Sequence, residues 1–237
     1  MTTSTAASRS GQSLPRPEAM IFDMDGTLFR TETLLIPAYH RLFDQLRSEG
    51  LFEGPTPPEE LILSSLGMLL EAIWKRVMPD ASDEARQRAD DLLLEYELAG
   101  LTEGHSELYP QVRETLSELH KAGVKLFVAS NGLEDYVQGV SDAHCLTELF
   151  TGIYSAGGRQ TSTKVELVQL LLQEHNIASA WMVGDRSSDV EAGKGNELTV
   201  IGCQYAGFGR EEELQGSDCF IYQFEELLEL YRTSARK

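Results

Sequence analysis

The stretch Ala19-Met-Ile-Phe-Asp23-Met-Asp25-Gly26-Thr27-Leu28 decides how the rest of the chain is read. A short apolar run of strand-like composition ends on two acids spaced i, i+2, followed by a glycine and a threonine. Open α/β sheets keep their chemistry at strand ends of this kind. Carboxylates crowded this closely repel, so they need a cation between them or a proton on one. A hard divalent ion such as Mg2+, which prefers oxygen donors, suits the pair, and the motif by itself points to metal-assisted phosphate chemistry. Asp-x-Asp-Gly also opens calcium loops, but counting from Asp23 the later ligand positions hold Thr27, Phe29, Thr31 and Leu34. No glutamate stands where such a loop needs its bidentate ligand. A surface turn with incidental acids is the remaining alternative, since Asp and Gly are ordinary turn residues; the rest of the chain has to decide against it.

The 237 residues suit one domain with a large insertion, or two small ones. Apolar residues make up 41% of the chain, ample for a core, and no run approaches the roughly 18–20 apolar residues of a membrane span. With 38 Asp and Glu against 20 Lys and Arg, the formal charge of −18 would repel a nucleic-acid backbone, so no nucleic-acid or membrane partner is expected. The same charge repels anionic substrates, so a phosphate site needs local positive charge from a metal or a lysine. Cys145, Cys203 and Cys219 are too few and scattered for a disulfide framework or a zinc cluster. They read as thiols of a reducing compartment, and a cytoplasmic location is the expectation. Residues 1–18, rich in Ser, Thr, Ala and Pro, lack the apolar core of a secretory signal and read as a disordered tail or an appended remnant, with a short organellar presequence as the alternative.

Beyond Leu28 the apolar spacing turns helical over 31–50, 58–66, 68–77 and 83–98, with turn signals at Glu53-Gly-Pro-Thr-Pro57 and Pro79-Asp80. From Pro110 helices alternate with short apolar strands. Helices are expected over 112–122, 133–143, 165–175 and 189–193, with one more at the end. Strands are expected over 124–129, near 150–155, and over 180–183, 198–201 and 219–222. Such alternation means right-handed crossovers and a parallel sheet. The expected architecture is therefore α/β: a doubly wound, Rossmann-like parallel sheet beginning at Ala19–Phe22, with an inserted α-helical cap. The divisions are a tail over 1–18, a catalytic core over 19–28 and 106–237, and a helical cap over 29–105. An insertion placed directly after the acidic pair would lie over it as a lid.

Three later strand ends carry groups suited to phosphate. The strand over 124–129 delivers Ser130-Asn131-Gly132 at the start of a helix, where exposed N–H groups favour anions; a plain helix cap is the competing reading. Lys164 opens the helix over 165–175, a position where a cation opposes the helix dipole unless an anion is near. The strand over 180–183 ends in Gly184-Asp185-Arg186-Ser187-Ser188-Asp189, two acids spaced i, i+4 that can face one point; Asp189 is also a candidate N-cap. All four strand ends fall on the carboxyl edge of one sheet, where such folds bind ligands. Several acids gathered there without a metal would be costly.

That order of motifs resembles the haloacid dehalogenase superfamily of phosphohydrolases with a small helical cap, over essentially the whole chain from Ala19. The matching elements are Asp23-Met-Asp25-Gly-Thr27, Ser130-Asn131, Lys164 and Gly184-Asp185-Arg-Ser-Ser-Asp189. The stretch from Val200 to Gly209, followed by Glu211-Glu-Glu-Leu214, is similar to the phosphoglycolate phosphatase-like branch. The resemblance implies an Mg2+-dependent phosphatase acting through an aspartyl-phosphate. In that scheme Asp23 is the nucleophile and Asp25 the acid and base. Mg2+ is held by the Asp23 carboxylate, the Asp25 carbonyl and Asp185, with Asp189 acting through water or from behind the ligands. Ser130, Asn131 and Lys164 hold the phosphoryl oxygens, and Thr27 is expected to orient Asp25. Two departures stand out: no lysine follows Ser130, and Gln111 stands where this branch often has glycine.

A dehalogenase would leave Asp25 and Asp185 superfluous. A phosphosugar mutase of the same fold would keep all four motifs, and a binding module that has lost catalysis would keep the fold; Asp23, Asp25, Asp185 and Lys164 argue against loss of catalysis. A helical cap implies a small phosphorylated metabolite, with phosphoglycolate, a sugar phosphate, a nucleoside monophosphate and pyrophosphate all open. Met68, Glu71, Trp74, Lys75 and Arg76 lie on the cap; Trp and Met at this spacing read as packing, and Arg76 is the residue suited to an anionic substrate tail. A monomer or small homo-oligomer is expected.

Overall fold

The computed structural model describes residues 7–8, 13–66, 68, 70–206 and 211–235. Seven strands form one sheet: β1 (Ala7–Ser8), β2 (Ala19–Phe22), β3 (Lys125–Ser130), β4 (Gly152–Ser155), β5 (Ala180–Gly184), β6 (Thr199–Cys203) and β7 (Cys219–Ile221). Their spatial order is β1-β7-β6-β5-β2-β3-β4. β2 to β7 are mutually parallel and β1 pairs antiparallel with β7. Ala19, Met20, Ile21 and Phe22 are all fully buried, as expected of a central parallel strand covered on both faces.

The chain forms two compact units, residues 30–107 and residues 1–29 with 108–237. The smaller unit holds α1 (Glu32–Ser48), α2 (Glu59–Leu63), α3 (Leu70–Val77) and α4 (Asp83–Glu103). Its core gathers Tyr39, Leu42, Phe43, Leu46, Trp74 and Leu92. Helix α4 runs past the expected Leu98. Leu101 buries its side chain, and the helix stops only where Gly104 takes the left-handed C-cap, φ +76°. At its start the Ser82 hydroxyl accepts from the Ala85 N–H at 3.1 Å. Trp74 is core, its indole N–H donating to Asp90. Arg76 donates to the Ser64 carbonyl at 3.3 Å and hydroxyl at 2.8 Å. Met68 and Lys75 are exposed, and the Glu71 side chain lies outside the described residues.

In the larger unit the sheet carries α5 (Val112–Lys121), α6 (Glu134–Ala143), α7 (Ala156–Arg159), α8 (Lys164–Glu174), α9 (Ser187–Gly195) and α10 (Glu226–Thr233). One face of the sheet packs Ile21, Phe127, Ala129 and Met182 against Leu167, Val168 and Leu171 of α8. Gln111, at the glycine-favouring position noted above, adopts φ +62° immediately before α5. Each unit closes its own end of the junction: Phe29 bridges antiparallel to Leu108 in the larger, and the Arg30 N–H reaches the Glu107 carbonyl at 2.9 Å in the smaller.

The disordered tail expected over 1–18 does not extend to residues 13–18. The Arg16 N–H donates to the Ala235 carbonyl at 3.0 Å, and its guanidinium lies 3.9 Å from the Tyr231 ring centroid. The Trp181 indole N–H donates to the Pro15 carbonyl at 2.9 Å. Polar composition reads as disorder, but the anchoring here comes from backbone groups and two aromatic side chains that composition does not register. Residues 207–210, within the stretch similar to the phosphoglycolate phosphatase-like branch, lie outside the described residues. Among the described residues no helix is long and apolar enough to cross a membrane.

Candidate active site

Register brings the predicted strand ends to one edge. Phe22 pairs with Val128 on one side and Val183 on the other, so Asp23 stands one residue past that level and Ser130 and Asp185 two, at the same edge of the sheet. The Asp23 N–H still donates to the Val183 carbonyl at 3.0 Å, and beyond it the chain turns. Gly26 makes that turn with φ +80°, and a Cβ there would come within 2.5 Å of Asp185 Oδ2. Only glycine permits both the left-handed backbone and the close approach. Gly184 is constrained differently: a Cβ on it would lie 2.2 Å from the Asp189 carboxyl carbon.

Lys164 is the hub. Its Nζ donates to Asp23 Oδ1 at 2.6 Å and to Asp189 Oδ1 at 2.7 Å, with all three residues buried. Thr163 caps α8 by accepting from the Glu166 N–H at 3.2 Å, which fixes the helix start at Lys164. Asp189 also accepts from the Arg186 N–H at 3.0 Å through Oδ2, so both its oxygens are engaged. Asp185 accepts from the Thr27 hydroxyl at 3.2 Å on Oδ1. Its buried Oδ2 accepts no hydrogen bond among the described residues and stands 3.5 Å from Arg186 Nε. Arg186 in turn gives Nη1 to Glu213 at 3.0 Å.

Burial is the largest influence on these acids, and their mutual repulsion adds to it. Asp23 is pushed up to about 7 by burial and by Asp189, with Lys164 pulling the other way. Asp185 is raised well above the usual carboxylate range by burial, then by Asp23 and Asp189. Burial opposes the charge on Lys164, yet Asp189 and Asp23 together hold its pKa above the ordinary lysine value. Three buried carboxylates thus share one lysine and part of an arginine.

That imbalance tests the fit of a cation. Asp23, Asp185 and Asp189 each offer an oxygen within 4.8 Å of the others. The donor set is all oxygen, one buried oxygen lacks a hydrogen bond, and charge remains uncompensated. These are the conditions under which a hard divalent ion binds, and the residues fit one.

The structure departs from the sequence reading at Thr27, whose hydroxyl bonds Asp185 and not Asp25. The turn at Gly26 carries it toward the end of β5. Asp25 is instead met by Tyr136 of α6, whose hydroxyl donates to Oδ1 at 2.6 Å. Ser130 is buried and its hydroxyl accepts from the Gly132 N–H at 3.1 Å, the local bond that starts the turn carrying Asn131. Tyr136, Tyr205 and Arg186 went unassigned in the sequence. Tyr205, just past β6, donates to the Thr27 carbonyl at 2.7 Å, bracing the Asp23–Thr27 turn. Both tyrosines act across more than a hundred residues, a separation with no local sequence signal. Arg186, adjacent to Asp185 in the motif, was the one within reach.

Comparison with known proteins places this geometry. Residues 20–203 match the family model described as haloacid dehalogenase-like hydrolase. The chain is 29% identical over 209 residues to a phosphoglycolate phosphatase of Vibrio vulnificus (strain CMCP6), covering 83% of this chain and 87% of that protein. It is 25% identical over 224 residues to the pyrophosphatase PpaX of Listeria monocytogenes serotype 4b (strain CLIP80459), covering 90% and 95%. Among solved structures it is similar to CbbY from Rhodobacter sphaeroides in complex with phosphate, with TM-score 0.75, 25% identity and coverage of 89% and 96%.

Proposed function

The chain belongs to the haloacid dehalogenase-like hydrolases, and from that premise we propose that this phosphatase hydrolyses a small phosphate monoester through an aspartyl-phosphate, with Mg2+ as cofactor. The observation that carries the reading is Lys164 bridging Asp23 and Asp189 beside an Asp185 oxygen that accepts no hydrogen bond.

Asp23 engages Lys164 through Oδ1 alone, and its other oxygen is the one that attacks phosphorus. As the Asp23 O–P bond forms, the ester P–O bond breaks and Asp25 gives its proton to the departing oxygen. A water then attacks phosphorus and passes its proton to Asp25, releasing inorganic phosphate and the Asp23 carboxylate. Lys164, Ser130 and the Asn131 N–H bind the phosphoryl oxygens and offset the charge that develops on them. Asp23, the Asp25 carbonyl and Asp185 would hold the cation, with Asp189 and Thr27 fixing its surroundings from behind. When bound, the ion supplies the positive charge that an acidic site needs to admit an anion.

Phosphoglycolate is the first candidate substrate, on the names of the curated relatives, and pyrophosphate the second. The enzyme is read as cytoplasmic, in keeping with three cysteines that form no disulfide. The test is phosphate release from a panel of phosphoglycolate, pyrophosphate, sugar phosphates and nucleoside monophosphates, with Mg2+ or with EDTA, alongside Asp23→Asn. Release that requires Mg2+ and drops at least about a thousandfold in the variant is expected, the nucleophile being indispensable to a covalent route. Wild-type turnover surviving in Asp23→Asn would sink the covalent mechanism.

A further inference from the structure

We propose that Tyr136 is a positioning residue for the acid–base step, holding the Asp25 carboxylate where it can exchange a proton with the reacting oxygen; this rests on the phosphatase reading above. A carboxylate on a one-carbon stem has several staggered rotamers, while proton transfer requires its oxygen within about 2.6–3.2 Å of the partner. Something must therefore select the rotamer. The Tyr136 hydroxyl does so by donating to Asp25 Oδ1 at 2.6 Å, across 111 residues. The tyrosine is itself immobilised, with the residue only 6% exposed. Its ring lies against Gly132, where a Cβ would approach the ring edge to 3.2 Å. Gly132 donates its N–H to the Ser130 hydroxyl at 3.1 Å. One rigid side chain thus touches the turn that carries the acid and the turn that receives the phosphoryl group, setting their spacing. Misplacement of a reacting group by about 1 Å costs on the order of a hundredfold in rate.

Tyr136→Phe removes the hydroxyl and keeps the ring. The informative measurement is kcat/KM on two esters, one aryl (p-nitrophenyl phosphate), whose leaving group departs without a proton, and one alkyl, the best substrate of the panel. The variant is expected to lose about a hundredfold in kcat/KM on the alkyl ester and no more than about threefold on the aryl ester, because kcat/KM extends only to formation of the aspartyl-phosphate and does not include the water step that both esters share. An equal fall on both esters, or no fall on either, overturns the proposal, since a structural tyrosine has no reason to distinguish leaving groups. A crystal structure of the variant supplies the second readout: Asp25 is expected to leave its present rotamer, and an unmoved carboxylate overturns the proposal even if the wild type hydrolyses neither ester. Loss of the phosphatase reading itself would show separately, as wild-type inactivity or activity surviving in Asp23→Asn.

Discussion

At the scale of single residues, the site is organised around one buried ammonium. Lys164 bridges two carboxylates at 2.6 and 2.7 Å, and removing one partner of a buried ionic cluster strands the charges that remain. Lys164→Met keeps the length of the side chain and deletes the charge. It is expected to abolish phosphate release and to lower stability by about 3–5 kcal/mol in metal-free buffer, read as a shift of the denaturant midpoint. Added Mg2+ should restore part of that stability without restoring turnover, because the cation relieves repulsion but does not replace the hydrogen bonds. The positions of Asp23 and Asp185 were legible in the sequence because each directly follows an apolar run, and that of Lys164 because it opens a helix of apolar spacing. Tyr136 was not, for it reads as one more buried face of an amphipathic helix. Thr27 was placed beside the right motif but assigned the wrong partner: the direction of a side chain after a left-handed turn depends on the φ of Gly26, which the sequence permits but does not specify.

At the scale of elements, strand ends do the positioning, and the glycine at the end of β5 shows how tightly. Gly184→Ala would force its methyl into the Asp189 carboxyl group, 2.2 Å away. The carboxylate must shift and release its bond to Lys164, at an expected cost of about 1–3 kcal/mol. A fall in thermal midpoint together with a fall in kcat is the expected outcome; a variant as stable and active as the wild type would mean the contact relaxes freely. The parallel strands and their helices could be read in advance because buried strands are continuous apolar runs and helices repeat near 3.6. β1 escaped notice since two residues cannot show a period. The segment over 13–18 escaped for the opposite reason: its residues look unstructured, while what holds it, the carbonyl of Pro15 and the guanidinium of Arg16, is met by Trp181 and Tyr231 far along the chain.

At the scale of the whole molecule, charge and stability are linked through the same site. A carboxyl lifted from 3.8 to about 7 in the folded state binds its proton more tightly there than in the unfolded chain. Its contribution to stability is therefore fully present below about pH 4 and lost as pH rises through 7. In EDTA, the stability contributed by Asp23 should decline from pH 4 to pH 7. In Mg2+ that decline should flatten, because a cation binds the carboxylate and not the acid. Thermal midpoints of wild type and Asp23→Asn across this range, with and without Mg2+, check it: the wild-type slope in EDTA should exceed that of the variant, and equal slopes would remove Asp23 from the account. The paired junction at Phe29 and Leu108 bears on a different matter. Because the sheet unit already joins the two residues where the chain departs and returns, a helical segment of other length and sequence can be spliced in there without rethreading a strand. Inheritance can then exchange the helical unit wholesale while leaving the aspartates of the sheet untouched.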